Sequence, residues 1–413
     1  MMKKLYLAAL SFLPKPALYF SLLVFLFAIA VGIKYSRKNS GAKIQSETNS
    51  SSLCVKPKRA TICLNMIVKN EEGVIGRCLD SVKPIIDHWI IVDTGSNDNT
   101  KELICQSLKG IPGQLYERPW VNFGANREEA LQLAKDQADY VLFIDADDRL
   151  LYDKDFVLPE LSEDFYIIAD HDRSSACNLI RLAKTDVDWH WHGVLHELVV
   201  ASQPTKGAFL QGVEYDYIHD GARSKDPKTY EKDAAILETA LEKEPDNSRY
   251  VFYLGLTYWN MDNFEKAAKL FRQRVNMPGY DEEPFCSLWM LALIEEKTSK
   301  KLDRMVELLQ EAHQKRPHRL EPIYALAKLA RFVQDYQASY NIASQVSIAA
   351  PIDQLFVERW IYDYGMLYEL ALAACHCNHR EVCVQSCQKL LAIPHLPGEE
   401  RVEIGNLLLQ MTK

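Results

Sequence analysis

The sequence predicts an α/β domain followed by an all-α array of helical repeats, with a membrane-spanning helix ahead of both. Three observations carry that prediction. From Thr61 to Asp148 short apolar runs alternate with stretches of helical spacing; beyond Asp226 strand signals stop and helical periodicity takes over; and Ala17 to Ile33 is an unbroken, mostly apolar stretch. The composition agrees with a folded chain of more than one unit. Its 413 residues exceed one ordinary domain, and 48% apolar with 25% charged residues is a globular balance rather than that of a disordered or fibrous chain. A net charge of -8 lacks the basic excess that phosphate backbones demand, which excludes nucleic acid as the main partner. Ten cysteines, irregularly spaced, do not form a disulfide framework and fit a reducing compartment.

In chain order, residues 1–38 form the expected anchor. Ala17 to Ile33 is just long enough to cross a hydrocarbon core of about 30 Å. Lys34, Arg37, Lys38 and Lys43 after it slightly outnumber Lys3, Lys4 and Lys15 before it, so the predicted product is single-pass with its catalytic part on the cytosolic side. Ala28-Ile29-Ala30 keeps a cleaved signal peptide open as an alternative. Residues 39–59 are polar and Ser/Asn-rich, as a tether should be, and contain the glycosylation triplet Asn49-Ser50-Ser51.

Residues 60–225 form the α/β unit. Thr61 to Val68 reads as a strand entering Lys69-Asn70-Glu71-Glu72, then a helix through Val74, Cys78, Leu79 and Val82. His88 to Val92 enters Asp93-Thr94-Gly95-Ser96-Asn97-Asp98-Asn99-Thr100 and a helix through Leu103 and Ile104. A helix from Ala125 to Ala138 precedes the strand Tyr140 to Ile144 and Asp145-Ala146-Asp147-Asp148. Such alternation implies a largely parallel sheet, whose ligands sit beyond the carboxyl ends of the strands, where every one of these polar clusters lies. Alone, Asp93 to Thr100 is also compatible with a capped turn, and Asn70-Glu71 with an acidic helix start. Asp145 and Asp147 are harder to place structurally. Two carboxylates at i and i+2 past a buried strand repel unless a cation screens them, and oxygen ligands suit Mg2+ or Mn2+.

Taken in order, Ile67-Val68-Lys69-Asn70-Glu71-Glu72, the run from Ile91 to Thr100, Gly124-Ala125-Asn126-Arg127 and Asp145-Ala146-Asp147 resemble the family 2 glycosyltransferases of the GT-A fold. The resemblance covers Thr61 to Asp148. It implies an inverting transferase with a nucleotide-sugar donor, expected to be a UDP-sugar. It implies further that Asn70, Glu71 and Asp93 line the nucleoside pocket, that Asn126, Arg127 and Asp145 lie at the donor, and that Asp145 and Asp147 hold Mn2+ or Mg2+. A sugar-1-phosphate nucleotidyltransferase would carry a Gly-rich phosphate loop after the first strand, and Lys69 to Glu72 contains no glycine.

Between Phe165 and Tyr217 lie short β-like runs at Phe165 to Ala169, Asn178 to Ala183 and Leu195 to Val200. In Trp189-His190-Trp191-His192-Gly193-Val194-Leu195-His196-Glu197 an extended chain would put His190, His192 and His196 on one face, unless Gly193 breaks the alternation. A metal site there competes with half-buried tryptophans beside exposed histidines. Gly193 to Glu197 is similar to the acceptor-side element of family 2 enzymes fused to helical repeats. Glu197 is the expected catalytic base, with His196 orienting it or contacting the donor, or the two form a salt-linked pair. Ile218 to Ser224 resembles the junction in those fusions, and His219 is a candidate third metal ligand.

Residues 226–413 repeat. Val251, Leu254, Gly255, Tyr258, Ala267 and Phe271 reproduce tetratricopeptide spacing, followed by Pro278. Leu291-Ala292, Ala312 and Pro317, then Leu326-Ala327, Tyr336 and Pro351, mark further units. Tyr364 to Leu391 reads as a degenerate hairpin and Glu399 to Met411 as a closing helix. Cys375, Cys383 and Cys387 are more consistent with packed thiols than with zinc, because no clean Cys-x-x-Cys pair is present.

The expected function is a membrane-tethered, divalent-metal-dependent sugar transfer to a peptide, protein or glycan acceptor, with the repeats helping to bind that acceptor or a partner. The sublancin-type peptide S-glycosyltransferases join the same two parts. The alternative is a non-catalytic tetratricopeptide scaffold whose transferase unit has decayed, against which Asn70, Glu71, Arg127, Asp145 and Asp147 stand.

Overall fold

A computed structural model describes residues 59–171, 179–349 and 351–412. The expected anchor, tether and Asn49 lie outside them; among the described residues no helix is long and apolar enough to cross a membrane. The described chain falls into two compact units, one ending at Pro227 and the other beginning at Lys228.

The first unit is built on an eight-stranded sheet. Its strands are β1 (Ile62–Val68), β2 (His88–Asp93), β3 (Gly113–Glu117), β4 (Tyr140–Phe143), β5 (Arg149–Tyr152), β6 (Phe165–Asp170), β7 (Ile180–Lys184) and β10 (Gly207–Asp216), in the order β3-β2-β1-β4-β7-β6-β10-β5. β3, β2, β1 and β4 run parallel, so their carboxyl ends emerge at one edge, with Val68 beside Asp93 and Asp93 beside Glu117. β7 is antiparallel to both neighbours. A separate hairpin pairs β8 (Trp189–His192) with β9 (Leu198–Ala201).

β1 explains why the sheet is covered on both sides. Ile62, Leu64, Met66 and Val68 face α1 (Ile75–Val82) and α2 (Thr100–Ser107) in one core, while Cys63 shares the other with Leu131 and Ala134 of α3 (Phe123–Ala134). That alternation is what a strand's two-residue repeat dictates. The one polar residue inside β1, Asn65, is buried and donates to the Ala130 carbonyl at 2.8 Å, tying α3 to the sheet.

Four elements depart from the sequence expectation. β3, β5 and β10 were not anticipated: β3 and β10 carry exposed and half-exposed residues among the apolar ones, so neither presents a continuous apolar run. The expected strand Leu195 to Val200 begins only at Leu198. Gly193 (φ 101°) and His196 (φ 56°) turn the chain between the two strands of the hairpin, so His196 does not share a face with His190 and His192. The possible three-histidine site is therefore absent.

The second unit is helical: α5 (Thr229–Lys243), α6 (Ser248–Asn260), α7 (Phe264–Val275), α8 (Glu282–Lys297), α9 (Leu302–Lys315), α10 (Glu321–Phe332), α11 (Tyr336–Ser344), α12 (Met366–His376), α13 (Arg380–Leu391) and α14 (Gly398–Thr412), with a short α4 (Ala222–Lys225) closing the first unit. Each helix packs on its neighbours in sequence, the arrangement of stacked hairpins. The turns α6–α7, α10–α11 and α12–α13 use a residue at positive φ, Asp262, Gln334 and Asn378, immediately before the cap of the second helix. Asn263 and Asp335 then accept from the third residue of their helices. Cys383 and Cys387 are fully buried in the last core with Cys375 against it, so these thiols are packing groups.

Between α6 and α7 the small residues are required by contact. A Cβ on Gly255 would stand 2.9 Å from Cε1 of Phe271, itself fully buried. Gly255→Val should therefore cost about 1–3 kcal/mol by overpacking. Urea unfolding followed by far-ultraviolet circular dichroism checks this. Combining it with Phe271→Leu should recover part of the loss, and wild-type stability in the single variant would contradict the packing.

Candidate active site

The parallel edge brings three loops together, and they are sewn to one another by side chains. The Asn70 N–H donates to Ser96 Oγ at 2.8 Å, and Asn70 Oδ1 accepts from the Asn97 N–H at 2.8 Å. The Glu71 N–H donates to Thr100 Oγ1 at 2.7 Å, while Glu72 Oε2 accepts from Asn99 at both its backbone and its amide. Asn70, at φ 56°, thus spends its side-chain oxygen on joining the loops after β1 and β2. Asp93 is fully buried; its Oδ1 accepts from the Gly95 and Ser96 N–H groups, and its Oδ2 is buried without a hydrogen-bond partner.

After β4 come three carboxyl groups. Asp147 Oδ2 accepts from the Gly221 N–H at 3.1 Å, and Glu71 Oε2 accepts from the neighbouring Ala222 N–H at 3.1 Å. Burial pushes Asp147 up, and the charge of Asp145 adds to it. Burial likewise raises Glu71 to about 7, with Asp147 and Asp145 contributing. Burial also opposes ionisation of Asp145, but Arg127 and Arg181 outweigh it and hold that carboxyl below the usual range. His219 stacks on Tyr217 with centroids 5.7 Å apart, and burial pushes its imidazole down, although Asp147 and Asp145 pull the other way.

Arg127 links the two halves of the site. It is nearly buried; its Nε donates to Glu197 Oε1 at 2.7 Å and its Nη2 donates to Asp145 Oδ1. Its guanidinium lies 5.2 Å from the centroid of Trp191. Burial disfavours the charge on Arg127, and the two carboxylates more than restore it. Glu197 has a side chain 1% exposed, and its Oε2 is buried with no hydrogen-bond partner. The turn that carries Glu197 is set by contact with α3: a Cβ on Gly124 would fall 1.9 Å from the Gly193 carbonyl oxygen, so only glycine lets the first turn of α3 seat there. His196 is buried beside it.

Most of the predicted residues are thus gathered at one edge. Asn126 is buried; its Oδ1 accepts from the Val121 N–H and its Nδ2 donates to the Pro119 carbonyl, so its amide holds the loop after β3. Sequence reasoning missed the groups beneath the acidic cluster. Arg181 of β7 lies 3.6 Å from the Tyr215 ring centroid and donates to the Tyr217 hydroxyl at 2.8 Å; the Tyr215 hydroxyl donates to Asp148 at 2.8 Å. Arg77 pairs with Asp220 and donates to the Asp147 carbonyl. Only Asp148 had a local signal, its place directly after Asp147.

Among the described residues no three His, Cys, Asp or Glu side chains form a ready metal cage. What is present fits a partial shell. Asp145 and Asp147 repel one another in a buried setting, a condition that a divalent cation relieves, and burial keeps His219 in the neutral form that a ligand needs.

The comparisons with known proteins agree with this geometry. Residues 63–185 match the family described as glycosyl transferase family 2. A TPR repeat-containing protein of Synechococcus elongatus is 27% identical over 71% of this chain and 76% of its own length. The SPbeta prophage-derived glycosyltransferase SunS of Bacillus subtilis is 25% identical over 52% of this chain and 53% of its own, so the match spans about half of that relative. A crystal structure of MamA aligns over 46% of this chain and 99% of its own at 14% identity, with a TM-score of 0.32, too low to bear on the assignment. Residues 63–185 are therefore a family 2 glycosyltransferase domain, and the chain is a glycosyltransferase in which that domain is joined to a tetratricopeptide-like helical region.

Proposed function

We propose that the protein is an inverting, divalent-metal-dependent transferase that moves a sugar from a nucleotide donor, a UDP-sugar by expectation, to a hydroxyl or thiol acceptor. The observation that carries this reading is Glu197. Arg127 holds one of its oxygens, while the other is buried and without a hydrogen-bond partner. An unmatched buried acceptor costs about 1–3 kcal/mol, which an acceptor hydroxyl donating to Oε2 would remove. The same hydrogen bond is the path by which a general base takes a proton. The unpartnered Asp93 Oδ2 likewise supports a nucleoside N–H or O–H as its missing donor.

In this reading Asp145 and Asp147, with His219, hold Mn2+ or Mg2+. The cation supplies Lewis-acid stabilisation of the departing diphosphate, worth several kcal/mol. Glu71 and Asp93 face the nucleoside side, Arg127 fixes Asp145 and Glu197 relative to each other, and His196 supports the turn. Inversion follows from a single attack on the face opposite the leaving group, so no second nucleophile is required. The helical unit is read as an aid to acceptor or partner binding, the usual use of a stacked-hairpin surface.

Asp147→Asn should abolish cation-stimulated turnover and weaken Mn2+ binding measured by electron paramagnetic resonance, while the unfolding midpoint stays put. Full turnover in excess chelator would sink the metal assignment. Glu197→Gln should lower transfer to a hydroxyl acceptor by about 10²- to 10⁴-fold with donor affinity nearly unchanged, and lower transfer to a thiol much less. Normal turnover with a hydroxyl acceptor would place the base elsewhere.

A cytosolic catalytic unit tethered through Ala17 to Ile33 is supported by the charge bias of the sequence. Protease added to intact cells should spare the domain, and cleavage between Asn39 and Ser52 from outside would reverse the topology.

A further inference from the structure

The loop after β3 carries an aromatic residue that neither core explains. Trp120 is 37% exposed and Val121 is 61% exposed, yet the loop is pinned from beneath. Asn126 accepts from the Val121 N–H at 2.9 Å and donates to the Pro119 carbonyl at 3.0 Å. Phe123 meets the Trp120 ring edge-on with centroids 4.7 Å apart.

Further contacts locate that aromatic pair. The Phe123 N–H donates to the Val194 carbonyl at 3.2 Å, in the turn that carries Glu197. The guanidinium of Arg223 lies 4.7 Å from the Phe123 ring centroid, and Arg223 follows Gly221, whose N–H reaches Asp147. A Cβ on the next residue, Gly124, would fall 1.9 Å from the Gly193 carbonyl oxygen and 3.7 Å from Glu197 Cβ, so the backbone there lies close against the Glu197 turn. Trp120 is thereby fixed at the rim of the site, between the turn that bears Glu197 and the segment that touches Asp147.

We infer that Trp120 is the stacking platform of an acceptor subsite and that its ligand is a pyranose ring, which makes the acceptor a glycan. The inference rests on the transferase reading given above and narrows its acceptor class. A pyranose presents a flat face of C–H bonds carrying slight positive charge, which matches the negative face of an indole. Its hydroxyls point outward from that face; Arg118 and Asn122 flank Trp120 in sequence, and Arg223 lies 4.7 Å from the centroid of the Phe123 ring that Trp120 meets. A peptide covers an indole only where a proline, aromatic or arginine side chain stands at the right position, whereas every pyranose carries such a face, and an amphipathic helix would require an extended apolar groove in place of one fixed ring.

The test uses the full chain with Mn2+, a UDP-sugar donor, and two acceptor sets: methyl glycosides of common hexoses, and short Ser-, Thr- or Cys-containing peptides. Trp120→Ala should raise KM for the methyl glycoside acceptor about tenfold, the scale of one lost aromatic contact, with kcat and donor KM unmoved. Trp120→Phe should recover most of that loss, which separates stacking from any effect on folding. An acceptor KM equal to wild type in Trp120→Ala, a parallel rise in donor KM, or an effect confined to peptide acceptors would overturn the platform. Donor hydrolysis by the wild-type protein reads the underlying function separately. If it is absent both readings fail; if it persists while the acceptor KM does not respond to Trp120→Ala, only the platform fails.

Discussion

A single buried guanidinium, Arg127, is shared between Asp145 and Glu197, and the arrangement of the site depends on it. Asp145 follows a parallel strand of the main sheet, whereas Glu197 sits in the turn of a separate hairpin. Among the described residues no strand pairing joins the hairpin to the main sheet; Trp189 and Val199 seat it in the second core, and at the site edge a side chain must hold the two pieces together. Arg127 does so with charge, in a setting where removing one partner of such a pair costs about 3–5 kcal/mol because the other charge is left unpaired. The surroundings support the link. Asn65 ties α3 to β1, Gly124 lets α3 approach the turn, and Trp191 covers the guanidinium.

The sheet accounts for the rest of the electrostatics. Parallel strands deliver Glu71, Asp93, Asp145 and Asp147 to one edge, a concentration of negative charge that burial makes expensive. Burial, with Asp145 and Asp147 nearby, also drives Asp148 well up. Compensation comes from beneath and beside: Arg181 acts on Asp145 and Asp148, and Arg77 binds Asp220 and the Asp147 carbonyl. These cations offset part of the cluster's charge, and Asp147 is still pushed up by burial and by Asp145. The helical unit solves a comparable problem for its own purposes. Buried Arg274 pairs with Glu283, and buried Arg319 pairs with Glu321 beside Glu282 and Asp353, so cations again offset carboxylates taken out of water.

How much of this was legible in the sequence depends on whether a residue's role is local. Asp93, Asp145 and Asp147 follow apolar strands within a few residues, and the alternation of strand and helix already places them at one edge. Gly255 and Phe271 belong to one hairpin, so their contact follows from spacing alone. The link between Arg127 and Glu197 could not be read, because the hairpin that brings them together is a separate two-stranded sheet with no long apolar signature. Arg181, Tyr215 and Tyr217 went unnoticed for the same reason: they meet through the order β7-β6-β10, which nothing local encodes. The loop-holding role of the Asn126 amide was equally illegible, because its partners, the Val121 N–H and the Pro119 carbonyl, are backbone groups that no side-chain pattern marks.

The direct Arg127–Glu197 hydrogen bond makes the two residues a coupled unit that Arg127 also joins to Asp145, and a double-mutant cycle on sugar transfer tests that coupling most directly. Arg127→Met, Glu197→Gln and the pair together would be assayed with the same donor and hydroxyl acceptor, with the unfolding midpoint of each variant recorded. Groups that work as a unit are strongly non-additive. The account predicts that the double variant is no slower than Arg127→Met alone. Losses that simply multiply would show the two residues working independently and would contradict it.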